Sequence, residues 1–284
     1  MPAPGLSSAV RTTECTLGRE AATLWRARAL LRELVRREVA ARYAGTAAGV
    51  LWAYLQPLLS VAAYYLVFDV VFGMRVGAAS AGNGATHAVG TFLIVGALPW
   101  MAFCDAVTRG MNSLVEAGGL LQKNPLPPVL IVARSVLASA LVYGPLLCLV
   151  ALLYAPLHRF GLAFFVALPL LLLMQLLLSA LLGFLLAIFT AALRDTAQLV
   201  GFLLSVGIYL TPVLFPWAMF PQGWRWLLWL NPATGLVLGY QSVLLQGAWP
   251  AWPQWLACAV WVAVLAGALS VALRRSRDQL VDWL

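Results

Sequence analysis

The chain has 284 residues, of which 63% are hydrophobic and 10% are charged, and its formal net charge is +8. Soluble domains carry roughly 25% charged residues, so this composition excludes an ordinary water-soluble enzyme and favours a chain embedded in a lipid bilayer. Apolar runs without alternation argue against a β-barrel. The basic excess requires no nucleic acid, because anionic lipid headgroups and a cytoplasmic partner account for it.

The amino-terminal region comes before the apolar runs. Residues 1–20 contain charged residues and no continuous apolar core, so they predict a loose cytoplasmic tail and not a secretory signal. Residues 21–48 predict an amphipathic helix along the cytoplasmic membrane surface, with an apolar stripe opposite a face rich in arginine. This helix is either a simple membrane anchor or a platform for a cytoplasmic partner. The candidate residues of that cytoplasmic interface are Arg36, Arg37, Arg42 and Tyr43.

Six apolar stretches of 19 to 31 residues follow, and a membrane-spanning helix needs ~20 residues. They run over Gly49 to Phe72, Ala88 to Val107, Val129 to Tyr154, Leu162 to Ala192, Leu199 to Trp217 and Trp255 to Leu273. We therefore expect an all-α, polytopic membrane protein with a six-helix permease domain over 49–273. Residues 274–284 then form a cytoplasmic carboxyl terminus.

The distribution of basic residues predicts the orientation of these spans. With six spans, 15 of the 18 lysines and arginines lie on the side of the termini. By the positive-inside rule, both termini are cytoplasmic. The outer connection from Trp217 to Gln254 is rich in proline, glycine and tryptophan, which predicts short re-entrant helices at the outer interface between spans five and six.

Residues for catalysis and energy coupling are missing from the sequence. A phosphate-binding loop needs G-x-x-x-x-G-K-[ST], but the one lysine, Lys123, is followed by Asn124. Asp69 and Asp105 fall near the ends of predicted spans, which favours carboxylates at the membrane interface over a proton relay. The sequence has no H-E-x-x-H, G-x-S-x-G or C-x-x-C motif. We therefore predict no catalytic residue, no metal site and no cofactor in this chain.

A series of short motifs points to a family. These motifs are Arg37-Glu38, Arg42-Tyr43, Gly49-Val50-Leu51-Trp52, Gln56-Pro57, Gly96-Ala97-Leu98-Pro99-Trp100, Leu120-Leu121-Gln122-Lys123-Asn124-Pro125, Arg194-Asp195, Thr211-Pro212 and Asn231-Pro232-Ala233-Thr234-Gly235. In this order, over roughly residues 30–245, they resemble the permease subunits of ABC transporters that export bacterial capsular polysaccharide, O-antigen or teichoic acid. Leu126 and Gln241 depart from that pattern, which leaves the subfamily and the substrate open.

The resemblance implies the partners of the chain. It implies a second copy of the chain, two ATP-binding cassette ATPase subunits that bind ATP and Mg, and a lipid-linked polysaccharide, most simply a capsular one, that crosses the bacterial inner membrane. A periplasmic or outer-membrane export partner is a further candidate. Two alternatives stay open: an ABC exporter of a smaller lipid or drug, and a non-ABC membrane protein such as an ion-coupled carrier or a glycosyltransferase.

The resemblance also assigns a role to the cytoplasmic loop between spans two and three. Gly118 and Gly119 allow a bend, after which the leucines could seat in a cleft of the ATPase. The candidate coupling residues are Glu116, Leu120, Leu121, Lys123, Asn124 and Pro125. The alternative is a plain connecting loop.

Aromatic residues of spans one and five are candidates for the polymer path, because sugar C–H faces pack on aromatic rings. The candidate channel residues are Trp52, Tyr64, Tyr65, Phe68, Asp69 and Tyr209. The alternative is that these rings belong to the interface belt or to helix packing. A kink expected at Pro212 would loosen span five beside the outer segment and provide a gate. The candidate gate residues are Pro212, Pro216, Trp217, Pro221 and Trp224.

Overall fold

The computed structural model describes residues 16–73, 75–76, 87–123, 126–154, 161 and 163–276. In chain order the α-helices are α1 (Thr16–Arg26), α2 (Arg28–Arg42), α3 (Leu51–Tyr64), α4 (Val89–Glu116), α5 (Gly118–Lys123), α6 (Pro128–Tyr154), α7 (Leu168–Ala192), α8 (Asp195–Gly207), α9 (Thr234–Gln246) and α10 (Trp252–Ser276). The π-helical segment Tyr65–Val71 continues α3, and Ala163–Ala167 leads into α7. Short 3₁₀ helices cover Ile208–Leu210, Trp217–Met219 and Gln222–Leu230. Two-residue strands, Arg75–Val76 and His87–Ala88, pair antiparallel.

Most of the apolar stretches are long helices. Among the described residues, five segments are long and apolar enough to cross a membrane. They are Leu51–Val71, Val89–Glu116, Pro128–Tyr154, Phe164–Ala192 and Trp252–Ser276. The predicted class, an all-α polytopic membrane protein, is thereby confirmed. We name the ends of the bundle by the predicted orientation: α2 marks the cytoplasmic end and the start of α4 marks the outer end.

The predicted fifth span differs from the prediction in its length. The helical segment is Asp195–Leu210, about 24 Å long at 1.5 Å per residue, which is shorter than the ~30 Å hydrocarbon core. It ends because Thr211 is extended, with φ −126° and ψ 143°, as expected of a residue before proline. Pro212 therefore ends the helix where a kink within a longer span was expected, and the count of six full spans stays a prediction.

Helix α4 is the centre of the bundle. It packs against α6, α7 and α9, and 72% of its most apolar window is buried, compared with 6% for the Leu51–Val71 span. Its closest approach to α7 occurs at two glycines. A Cβ atom added to Gly110 would lie 3.0 Å from the Cα of Gly183, so a side chain there would push the two helices apart.

Two helices and a turn region stand in place of the single amphipathic helix predicted over 21–48. Helix α1 already begins at Thr16, and Ala27 (φ −92°, ψ 16°) separates it from α2. Helix α2 ends at Arg42, and turns with Gly45 at φ 80° and Gly49 at φ 54° lead into the first span. The amphipathic character is as predicted: Val35 is buried where α2 packs on α6, and arginines fill the opposite face.

The outer connection between α8 and α10 contains the short helices expected there. Helix α9 is buried over 11 of its 13 residues, and it runs beside the first turns of α10. A Cβ atom on Gly235 would lie 2.8 Å from the carbonyl oxygen of Gln254, so glycine permits this approach. The indole Nε1 of Trp261 donates to the carbonyl of Trp229 at 3.0 Å, about 14 Å along α10. The connection therefore dips into the bundle before it returns to the outer end.

Candidate transport site

Three charged side chains fasten the amino-terminal helices to the cytoplasmic end of the bundle. The carboxylate of Glu38 lies 3.5 Å from Arg42 on the same helix and 3.5 Å from Arg134 on α6. The guanidinium of Arg42 also donates to the carbonyl of Ser135 at 3.1 Å. We call Glu38, Arg42 and Arg134 the cytoplasmic cluster. Glu38, which interrupts the apolar stripe in the sequence, thus holds the helix to the bundle.

A second ion pair lies beside this cluster. The Nε of Arg109 donates to the carboxylate of Asp105 at 2.8 Å, one turn away on α4. Burial lowers the pKa of the Arg42 guanidinium below its ordinary value, and the charge of Arg109 acts in the same direction. Asp105 lies near the predicted end of span two, but α4 continues about 16 Å further, to Glu116. The hairpin of α4 and α6 therefore projects past the charged residues on the cytoplasmic side.

The predicted coupling residues lie at the tip of this hairpin. Glu116 is exposed, and the side chain of Leu120 on α5 is 39% exposed. Leu121 instead packs, partly buried, against the core. Lys123 ends α5, while Asn124 and Pro125 lie outside the described residues. Of the leucine pair, Leu120 is the one presented outward.

The exposed cytoplasmic-interface residues lie on α2. Arg36 and Arg37 are both exposed, and Arg37 pairs with Glu33 at 2.8 Å. Arg42 belongs to the cytoplasmic cluster, and Tyr43 is half-buried directly after the helix. The structure therefore divides the predicted set into a solvent-facing pair and a pair that packs on the bundle.

The predicted channel residues do not share one face of the first span. Trp52, Tyr65 and Tyr209 are exposed in the single chain, Tyr65 to 54% and Tyr209 to 63%. Tyr64 and Phe68 pack, partly buried, against the core. Candidates for a lining contact in this chain are therefore the three exposed rings.

Asp69 has a structural contact at the outer end. Its carboxylate accepts a hydrogen bond from the backbone N–H of Gly90 at 2.6 Å, in the first turn of α4. A Cβ atom on Gly90 would lie 2.8 Å from that carboxylate, so the contact needs glycine. A carboxylate at a helix amino terminus also interacts favourably with the helix dipole. Asp69 therefore clasps the first span to the central helix.

The predicted gate residues surround the end of α8. Pro212 and Pro216 are buried, Trp217 is half-buried, and Pro221 and Trp224 are exposed. Thr211 and Asn231 hold the helix end: the Thr211 hydroxyl donates to the carbonyl of Gly207 at 2.7 Å. The Asn231 amide donates to the Thr211 hydroxyl at 2.6 Å. Side-chain donors thus reach carbonyl groups that the broken helix leaves without partners.

Two glutamines connect this junction to the core. The amide of Gln241 on α9 donates to the carbonyl of Pro212 at 2.7 Å. Gln175 on α7 donates to the carbonyl of Pro99 at 3.0 Å and accepts from the Tyr240 hydroxyl at 2.8 Å. The sequence reasoning missed Gln175, although a lone amide in a long apolar run is a signal of a buried polar contact. Within the described residues, no group of three His, Cys, Asp or Glu is placed to hold a metal ion.

Comparison with known proteins agrees with this architecture. The family model described as ABC-2 type transporter matches residues 29–245, from α2 to the end of α9. The O-antigen export system permease protein RfbA of Myxococcus xanthus is 28% identical over 265 residues, which cover 91% of this chain and 96% of that protein. The protein of the same name from Klebsiella pneumoniae is 22% identical and covers 77% of this chain and 81% of its own length. Because the family model matches more than half of its length, the chain belongs to the ABC-2 type transporter family, as a membrane-spanning permease.

Proposed function

We propose that this chain is the channel-forming subunit of an ATP-driven exporter that moves a lipid-linked polysaccharide across a bacterial inner membrane. Two copies of the chain work with two ATPase subunits, which bind ATP and Mg, and both termini are cytoplasmic. The observation that carries the substrate class is the similarity to O-antigen export permeases over 96% of the length of one of them. The proposed substrate class includes O-antigen, capsular polysaccharide and teichoic acid.

The exposed faces of α3 and α8 support a polymer path along these two helices. Both helices pack on the central helix α4, and α3 also touches α6 while α8 touches α7. Their outward faces carry exposed rings, Trp52 and Tyr65 on one side and Tyr209 on the other. Apposed in a second copy, such faces would enclose an uncharged aromatic surface, on which sugar rings pack without one tight site.

The shape of the cytoplasmic end supports docking of an ATPase there. The tip of the hairpin formed by α4, α5 and α6 projects beyond the ion pairs and exposes Leu120 next to Glu116. An exposed leucine at a projecting tip gains free energy when a cleft of a partner protein buries it. Hydrolysis itself belongs to the partner, since Lys123 is the only lysine and stands outside any glycine-rich phosphate loop.

A genetic test examines the whole proposal. Deletion of the gene should abolish surface polysaccharide, and the intact chain supplied in trans should restore it. Purified alone, the chain should hydrolyse no ATP above background. Normal surface polysaccharide after deletion would contradict the substrate class and favour the exporter of a smaller lipid or drug.

Alanine variants examine the path. Tyr65→Ala and Tyr209→Ala, combined, should reduce surface polysaccharide with normal membrane insertion. The control is Phe165→Ala, a ring 62% exposed on the segment that leads into α7. If the control lowers export as much as the paired variant does, the path lies elsewhere.

A further inference from the structure

A cavity lies at the outer end of the bundle, apart from the exposed faces of α3 and α8. It has a volume of about 430 Å³ and is enclosed by α9, the start of α10 and the 3₁₀ segments. Its lining includes three tryptophans and three glutamines, Trp217, Trp229, Trp249, Gln241, Gln246 and Gln254. Small-molecule sites have volumes of roughly 300–1,000 Å³, so this outer cavity has the size of a ligand site. No charged residue is among the described residues that line it.

The rings of the outer cavity are held in place by neighbouring rings. The centroids of Trp217 and Trp229 lie 5.2 Å apart with their planes tilted by 58°. The ring centroids of Trp249 and Trp255 lie 6.1 Å apart. The Arg225 guanidinium lies 5.8 Å from the centre of the Trp217 ring and donates to the carbonyls of Phe220 and Ala218, so it is itself held beside the ring. Rings fixed in this way offer flat apolar surfaces at little entropic cost.

The amides of the outer cavity supply hydrogen-bonding groups beside the rings. Gln254 donates to the Ser242 hydroxyl at 3.3 Å, but its side-chain oxygen is buried without a donor among the described residues. Gln246 is exposed at the end of α9. Because that oxygen has no accessible surface, the group open to the hydroxyl of a ligand is the exposed Gln246 amide.

We infer that the outer cavity binds an uncharged pyranose unit of the exported glycan, an inference that rests on the proposed function. Pyranose rings combine C–H faces, which pack on tryptophan, with hydroxyl groups, which pair with glutamine amides. A lipid acyl chain would leave the exposed Gln246 amide without a partner, and an acidic sugar would bring a charge into a lining that contains no charged residue. The cavity thereby gives the emerging polymer a neutral, weak holding site at the outer end.

Saturation-transfer difference NMR on the full chain in nanodiscs tests this inference. The probes are the methyl pyranosides of glucose, galactose and mannose at millimolar concentration, with methyl glucuronide as the charged comparison. We expect saturation of ring C–H protons for at least one neutral probe and none for the glucuronide. Trp249→Leu and Gln246→Met should each weaken the binding of that probe by about two- to tenfold, from the loss of one ring or one amide contact.

Trp226→Leu is the matched control, because Trp226 is 59% exposed on the neighbouring 3₁₀ helix and does not line the cavity. It should leave probe binding unchanged. Equal binding in the cavity variants and the intact chain, or no binding of any neutral probe, overturns the inference. Failure here differs from failure of the proposed function, because the deletion strain reports polysaccharide export independently of this cavity.

Discussion

The cytoplasmic and outer ends of the bundle are fastened by different chemistry. At the cytoplasmic end, ion pairs among Glu38, Arg42 and Arg134 join α2 to α6. At the outer end, neutral groups such as Asn231 and Gln241 hold the broken end of α8. Charged side chains have a small desolvation cost near the headgroups. Deeper in the membrane, amides and hydroxyls satisfy backbone groups at a lower desolvation cost than charges would. The ion pairs at the cytoplasmic end suit attachment of a partner, and the neutral groups around the end of α8 suit passage of a sugar polymer.

The largest effect is expected at the tip of the cytoplasmic hairpin. Leu120→Asp, alone or combined with Leu121→Asp, should abolish export, because a carboxylate at the outward-facing Leu120 would be desolvated in the proposed cleft of the ATPase. Pull-down of the ATPase by the tagged permease measures docking, and an assay of surface polysaccharide measures export. Val115→Asp, on a residue 37% exposed just before the tip, is the control for inserting a charge nearby. Full export by the double variant with the ATPase bound would show that coupling occurs elsewhere.

The cytoplasmic cluster should contribute more to stability than an exposed ion pair. Glu38→Gln leaves the two half-buried guanidinium groups of Arg42 and Arg134 without a counter-charge, which should cost about 1–3 kcal/mol. Glu33→Gln, which breaks the pair with Arg37 at the surface, should cost about 0–1 kcal/mol. Thermal unfolding of the purified chain, followed by tryptophan fluorescence, compares them. Equal melting temperatures would remove the distinction between the two pairs.

The neutral junction at the outer end should respond to loss of its amide. Asn231→Ala removes the hydrogen bond to Thr211 and the acceptor for the backbone N–H of Ala233, for an expected cost of about 1–3 kcal/mol. Asn112→Ala is the control, since the Asn112 amide bonds only to the carbonyl of Thr108 in its own helix. A smaller loss of melting temperature for Asn231→Ala than for its control would contradict the role of the junction.

The last comparison concerns two glycines of α8, one packed and one in open space. A Cβ atom on Gly207 would lie 2.8 Å from the Trp100 ring, so Gly207→Ala should destabilise the chain by about 1–3 kcal/mol through overpacking. A Cβ atom on Gly201 would lie in open space, so Gly201→Ala should be neutral or should stabilise the chain by up to about 1 kcal/mol. The melting temperatures should therefore shift in opposite directions. A stabilised Gly207→Ala variant would show that α8 is loosely packed at its outer end.

The sequence predicted the elements whose signal is local. Long apolar runs predicted the five spans that the structure has, and the prolines, glycines and tryptophans predicted the broken outer connection. Pro212 was recognised in the sequence, but it was predicted to kink the helix. Whether the helix kinks or ends there depends on which groups replace the lost helix hydrogen bonds near Thr211. Asn231 supplies that replacement from 20 residues away.

Contacts between distant elements could not be predicted in this way. Nothing near Glu38 in the chain indicates a contact with Arg134 on α6. Likewise, an exposed and a packed tyrosine are adjacent at Tyr64 and Tyr65, so composition alone could not separate a lining ring from a core ring. The π-helical segment that begins at Tyr65 changes the helical register there, which a period of 3.6 residues does not anticipate.

The hydrogen bond between Asp69 and Gly90 has a mechanical consequence for any movement during transport. It links the end of the first span to the first turn of α4, with a carboxylate as acceptor, and such bonds contribute roughly 1.5–3 kcal/mol. This hydrogen bond therefore resists separation of the outer halves of these two helices. Helix α8, which ends short and has most of its outward face uncovered, has no comparable tether to α3 among the described residues. Widening of the outer end would therefore separate α8 from α3 more readily than it would separate α3 from α4.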